Sequence, residues 1–341
     1  MLNIVLSILW AFLVAVFAVP SIIFVSYTKK LLDEPNHRST HESLIPRLGG
    51  LAIFAGFMSA LTIFGDLGDG VQQLLAGCLI IFFIGVKDDI ITVSAFKKFF
   101  VQLLAAGIVM IIADIRITSF QGLFGIYDLE IGVSYAFTFF VIIGVTNAIN
   151  LIDGLDGLAG CVVVLISLTF GTYFYIYDSA YAYVAFCLAG GVLGFLKYNI
   201  HKAKIFMGDT GSLLCGFIIA VMAIQFVEMK IIESAPAVTI GILIIPIFDT
   251  TRVFAIRIFN GRWPFHPDRN HIHHRLLDVG FSQLAVVILL IGMNLLVISF
   301  TILFASFGSF QLLLITTVFA ICISFVLDFA VKEDKEDKVN A

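Results

Sequence analysis

Charge is scarce in this chain. Only 13% of its 341 residues are Asp, Glu, Lys or Arg, while 60% are hydrophobic. A soluble domain usually carries about 25% charged residues. The mean hydropathy is +1.06. A fold in water has no interior large enough for so much apolar surface, so a bilayer is the expected solvent for most of it. The net charge of −4 is small and spread out. It leaves no basic footprint for a nucleic acid, and none is expected as a partner. Cysteine is sparse too. Cys78, Cys161, Cys187, Cys215 and Cys322 all lie in apolar runs and form no C-x-x-C pair, so neither a disulfide framework nor a zinc knuckle is implied. Also missing is a basic stretch ahead of the first apolar run, since Lys29 and Lys30 follow it. That favours a retained first helix that starts outside over a cleaved signal peptide. There is no internal repeat and no low-complexity linker. The exception is a charged tail from Lys332 to Lys338, read as a solvated terminus.

What the chain has is long apolar runs. A membrane-spanning helix needs roughly 20 apolar residues. Such runs occupy 3–26, 48–65, 71–86, 98–113, 131–146, 158–177, 179–196, 211–228, 236–256, 282–304 and 309–330. The expectation is an all-α polytopic membrane protein with about eleven spans, the fifth a short one. With the amino terminus outside, the inside segments are 27–47, 87–98, 147–157, 197–210, 252–281 and 331–341. They hold every lysine and arginine except Arg116 and Lys230. Basic residues collect on the cytoplasmic side, so the carboxyl terminus is expected in the cytoplasm.

The unusual polar clusters fall in those same inside segments. They are Asp33 to His41 running on to Pro46–Gly50, the pair Asp88–Asp89, Asn147 to Leu158, Phe206 to Ser212, and His266 to Arg275. Two adjacent carboxylates at a membrane boundary repel each other and resist desolvation unless a cation compensates them. A solvated interfacial pair is the plainer reading of that dipeptide. Asp153 and Asp156 are three apart, as are Asn147 and Asn150, so all four share one stripe if the helix persists. Their oxygens are hard ligands suited to Mg²⁺, and the pattern of a calcium-binding EF-hand loop is absent. Gly208 and Gly211 flank Asp209, which can be held toward a metal or can simply cap the next helix. In the last cluster Arg262, Arg269 and Arg275 lie among His266, His271, His273 and His274. Arginine forks match phosphate oxygens. A zinc site or a solvated basic loop are the competing readings. Together the clusters describe metal-assisted transfer between a diphosphate donor and a lipid acceptor.

The run Asn147-Ala-Ile-Asn-Leu-Ile-Asp-Gly-Leu-Asp-Gly-Leu-Ala159, with Met207-Gly-Asp-Thr-Gly-Ser212 and His271-Ile-His-His-Arg-Leu276, resembles the polyprenyl-phosphate N-acetylhexosamine-1-phosphate transferases. The likeness extends in order from Asp33 to Arg275. The last motif looks like the glycan-initiating branch, which starts O-antigen, common-antigen and teichoic-acid glycans. The resemblance implies a multi-pass enzyme of the inner (plasma) membrane with its active site facing the cytoplasm. Residues 1–331 then form one catalytic domain, with 332–341 as a cytoplasmic tail. The implied substrates are a UDP-N-acetylhexosamine, by default UDP-GlcNAc, and a polyprenyl (undecaprenyl) phosphate. The implied cofactor is Mg²⁺, with Mn²⁺ as a substitute. By the same resemblance, Asp88 and Asp89 lie near metal and acceptor phosphate, and Asp209, Asn150 and Asp153 near the metal. Asn150, Asp153 and Asp156 surround the nucleoside, and Phe206 stacks on uracil. His271, His273 and His274 meet the diphosphate, and Arg38, His41 and Arg47 contact substrate from the first inside loop. Arg269 and Arg275 stay candidates for phosphate on their own chemistry. Lys98 and Gln102 fit the family pattern. Thr92 departs from it, where many members carry a charged residue.

The expected reaction is one step. The acceptor phosphate attacks the β-phosphorus and UMP leaves. A phosphate monoester has a second pKa of about 6, so the acceptor is mostly ionised at neutral pH and needs little help from a base. A route through a phospho-aspartate is the other possibility. The alternative from another class is a secondary transporter with an acidic site at the cytoplasmic face. Such sites usually lie near the midplane between repeats, whereas these clusters sit at one face.

Overall fold

The computed structural model describes residues 1–32, 44–263 and 270–340. The chain separates into two compact units, Met1–Ile231 and Ile232–Ala341. Among the described residues the regular structure is helical, and isolated bridges such as that between Ser119 and Asp128 are the nearest thing to a strand.

The first unit contains α1 (Leu2–Lys29), α2 (Gly49–Phe64), α3 (Val71–Ile90), α4 (Ala95–Gly107), α5 (Ile131–Leu151), α6 (Leu158–Ile176), α7 (Tyr181–Asn199) and α8 (Gly208–Glu228). A wide π turn at Ile108–Ile112 extends α4. α8 is apolar around its whole circumference, and that dictates its place. Of its most hydrophobic stretch 94% is buried, against 17% for α1. A helix without a polar face belongs in a core or in lipid. Here α3, α5, α2 and α6 pack around α8, and α1 lies outside against α2 and α7.

The second unit contains α9 (Ala235–Ile242), α10 (Ile244–Phe259), α11 (Ile272–Asp278), α12 (Gln283–Leu303) and α13 (Ser309–Asn340). The apolar run 236–256 is not one helix. α9 and α10 bend by 80° at Leu243. Pro246 has no N–H to return to Ile242, so the ladder breaks there, and proline fits the first turn of the helix that restarts.

Eight described helices are long and apolar enough to cross a membrane, nine if the bent pair counts as one. Large apolar side chains such as Phe17, Phe83, Phe96, Phe140 and Leu303 point outward. An apolar exterior of that extent is untenable in water, and helices satisfy their own backbone in lipid. This is a polytopic membrane protein. α2, with 16 residues, is a shorter apolar helix. The last turn of α3 carries Lys87, Asp88 and Asp89.

Candidate active site

Three helix ends meet at one end of the first unit, and glycine makes the meeting possible. A Cβ on Gly85 of α3 would lie 2.5 Å from the Thr210 Cα, and one on Gly50 of α2 would lie 2.2 Å from the Gly211 nitrogen. Neither position admits a larger residue without moving the start of α8. The segments before α2 and α8 are also bonded together. The Phe206 amide donates to the Pro46 carbonyl, and Gly49 and Gly50 donate to Phe206 and Met207. Arg47, which is exposed, and Phe206, which is half-buried, therefore belong to paired segments.

α8 has no side-chain cap of its own. Asp89 supplies one from α3. Its carboxylate accepts from the Asp209 amide at 2.8 Å, from the Thr210 amide at 3.0 Å and from the Thr210 hydroxyl. Orphan amides and the positive pole of a helix both favour a carboxylate. Asp89 thus spends both oxygens fixing the start of α8, and with it Asp209. Asp88 faces differently. It accepts from the Val93 amide and, at 3.0 Å, from the Lys98 ammonium of α4. Lys98 also donates to Asp209 at 2.8 Å, so a single ammonium bridges two acids. The other Asp209 oxygen accepts from the Asn150 amide at 3.2 Å, and Asn150 also donates to Ser212.

α5 runs to Leu151, beyond the expected end at 146. Asn147 and Asn150 are therefore helical, but Asp153 and Asp156 lie in the turns that follow, and the four do not share a continuous helical stripe. Asp156 accepts from the Ala203 amide at 2.9 Å and ties down the chain before Phe206. Asp153 is half-buried, and its carboxylate accepts no hydrogen bond from the described residues. Burial pushes its pKa up to about 7, helped by the negative charge of Asp209 and Asp89 and opposed by Arg47. The acids are assembled but not closed into a coordination sphere. Among the described residues no three His, Cys, Asp or Glu side chains are placed to hold one ion.

The second unit organises the histidines. His271 Nδ1 lies 2.8 Å from Asp249 Oδ2, and the Ile272 amide donates to Asp249 Oδ1 at 2.7 Å. His273 stacks on His271 with ring centres 5.6 Å apart, and His274 lies 4.4 Å from His273. Arg275 and Arg252 both bond Asn270, through its side chain and its carbonyl. Arg38, His41 and Arg269, also candidates, lie outside the described residues.

Sequence reasoning gave no role to Asp249, and it noted Lys98 only as fitting a pattern. Both were open to notice, because an ionisable group inside an apolar run is a functional flag by default. It also passed over Asn199, whose amide bridges the Gly157 nitrogen and the Ile205 carbonyl and so braces the two motif loops.

The region that carries the acid cluster, residues 71–227, matches the family model described as glycosyl transferase family 4. The chain is 34% identical over 302 residues to the probable undecaprenyl-phosphate N-acetylglucosaminyl 1-phosphate transferase of Bacillus subtilis strain 168. That alignment covers 86% of this chain and 83% of the relative. The chain belongs to glycosyl transferase family 4. The undecaprenyl-phosphate alpha-N-acetylglucosaminyl 1-phosphate transferase of Salmonella typhi is 31% identical, over 76% of this chain and 72% of that one. The Escherichia coli K12 protein of the same name is 27% identical over the same shares. Within this family 4 chain the matched segment runs from the start of α3 almost to the end of α8. It contains Asp88, Asp89, Lys98, Asn150, Asp153, Asp156 and Asp209.

Proposed function

We propose that this protein transfers N-acetylhexosamine-1-phosphate, by default GlcNAc-1-phosphate, from a UDP-sugar to undecaprenyl phosphate and releases UMP. The product is the first lipid-linked intermediate of a cell-envelope glycan. The observation that carries the reading is the gathering of four acids at one helix junction: the Lys98 ammonium bridges Asp88 and Asp209, Asp89 caps α8 beside them, and Asp153 feels the charge of Asp209 and Asp89. Family membership and the relatives' names supply the substrate class.

The residues fit a divalent cation in charge and donor chemistry. Four carboxylates gather where Lys98 neutralises only Asp88 and Asp209, and Asp153 is left without a hydrogen-bonding partner among the described residues. Mg²⁺ favours oxygen ligands and commonly takes one or two carboxylates together with substrate phosphates. Asp209, Asp153 and Asn150 would hold it, and when bound it offsets charge on the diphosphate and the leaving UMP.

The chain's own residues do the rest. Asp89 fixes Asp209 by capping α8. Asp88 positions the acceptor phosphate, whose second proton is already mostly lost at neutral pH. Phe206 offers a face for uracil, and Arg47 and Asp156 line the donor side. His271, His273, His274, Arg269 and Arg275 supply N–H donors to phosphate oxygens, and Arg38 and His41 take their family roles. The transfer goes in one step, so donor alone leaves no radiolabel on the protein.

The enzyme works in the inner (plasma) membrane with eleven spans, α2 and α3 among them, its acid cluster at the cytoplasmic face and its amino terminus outside. The expected result is that purified protein, given Mg²⁺, undecaprenyl phosphate and UDP-GlcNAc, releases UMP. A panel of UDP-sugars then ranks the donors. If no UDP-sugar yields UMP, the proposal is wrong.

A further inference from the structure

We infer that Asp249 is a positioning residue for the transfer: it grips His271 at Nδ1, fixes the ring, and thereby leaves Nε2 as the nitrogen that meets the substrate phosphate. The inference rests on the reading above for the identity of the reaction, and on local geometry for everything else.

Asp249 is 2% exposed on α10 and His271 is 6% exposed at the start of α11. A carboxylate inside an apolar helix is costly unless it is paired. Asp249 is fully used. One oxygen accepts the Ile272 amide at 2.7 Å, and the other faces His271 Nδ1 at 2.8 Å. The backbone amide can only donate, so Oδ1 is committed to it. Oδ2, as carboxylate oxygen, then accepts a hydrogen bond from Nδ1–H. The stacked ring of His273, inclined by 15°, holds the imidazole plane. Nε2 hydrogen-bonds to none of the described residues, and it is not among the sealed polar atoms that lack a partner. Fixing one ring nitrogen decides what the other does. With Nδ1–H held by Asp249, Nε2 is the nitrogen left for substrate, an acceptor in the neutral ring and a donor to a phosphate oxygen in the imidazolium. The other ionisable groups around the ring are Arg252 and Arg275, which act through Asn270, and His273 and His274. α12 adds none, and the described side chains of α13 add only the exposed Cys322.

Asparagine at 249 tests the pairing sharply. The Ile272 amide still needs its acceptor, so the Asn oxygen stays with it and the amide NH₂ turns to Nδ1. The ring proton is then driven to Nε2, and the charged state loses its support. Histidine ¹⁵N spectra of the purified protein, assigned by difference against His271→Asn, should show a protonated Nδ1 in the natural protein and a bare Nδ1 in Asp249→Asn. UMP release should fall on the order of 10- to 100-fold in Asp249→Asn, the usual weight of a charge-assisted hydrogen bond, chiefly in kcat, with partial rescue by Asp249→Glu. In the His271→Asn background the same change should cost less than about twofold, because a residue that acts through another has nothing left to act on.

Equal losses in the two backgrounds would show a merely structural role and overturn the inference. So would a bare Nδ1 in the natural protein, a measurement that needs no turnover and no variant at 249. Failure of the natural protein to release UMP would instead count against the proposed reaction and leave the spectra to judge the pair.

Discussion

Asp153 is the acid with the most to gain from a cation. Its neighbours Asp209 and Asp89 are neutralised in part by Lys98 and by the amides of α8, whereas it accepts no hydrogen bond from the described residues. Its pKa rises in the fold from the ordinary 3.8 to about 7. For an acid, a raised value means that the charged form is disfavoured by folding. The penalty is absent below about pH 4, grows between there and pH 7, and is complete above. Asp153→Asn removes it. In Mg²⁺-free protein this variant should melt several degrees higher at pH 8 and little differently near pH 4, while losing UMP release at both. A melting temperature at pH 8 that is unchanged or lower would show that Asp153 bears no such burden. Sites that bind charge commonly sacrifice stability in this way.

The helix ends are held together by close backbone approach, and this makes them brittle. Gly85→Ala would drive a methyl group into Thr210, where overpacking typically costs about 1–3 kcal/mol. The displaced α8 start should also lose UMP release, because Asp89 and Asp209 move with it. Gly144→Ala in α5 is the control, since a Cβ there meets nothing within 4 Å. Its melting temperature should be unchanged or slightly higher by helix propensity. Thermal scans in detergent compare the two, and equal behaviour would contradict the packing account. These ends also show how far the residues could be read in advance. Acids at the margins of apolar runs have nowhere to hide, so Asp88, Asp153 and Asp209 stood out. Their partners did not. That Asp89 caps a helix starting 120 residues later, or that Asp249 finds His271, is decided by packing and leaves no local pattern. Helix limits were blurred for a related reason. α5 continues through Asn147 and Asn150 because nothing stops it before the glycines at 154 and 157. The break at Leu243 was signalled by Pro246, but the length of the apolar run hid it.

The orientation of the chain decides which pool of donor the acid cluster meets. In a cysteine-free background, cysteine at Asp69, in the turn before α3, should react with an impermeant maleimide on intact cells. Cysteine at Lys202, in the loop before α8, should react only after permeabilisation. Both residues are exposed and sit at opposite ends of the first unit's helices. The reverse pattern would put the cluster on the wrong face for a nucleotide sugar made in the cytoplasm. The account as a whole stands on the cluster's affinity for a divalent ion, and Mn²⁺ in place of Mg²⁺ makes that visible by electron paramagnetic resonance. In the presence of UDP-GlcNAc the protein should bind one Mn²⁺ per chain, and Asp209→Asn and Asp153→Asn should each weaken binding by at least about tenfold. Mn²⁺ binding that is absent, or that survives both substitutions undiminished, would contradict it.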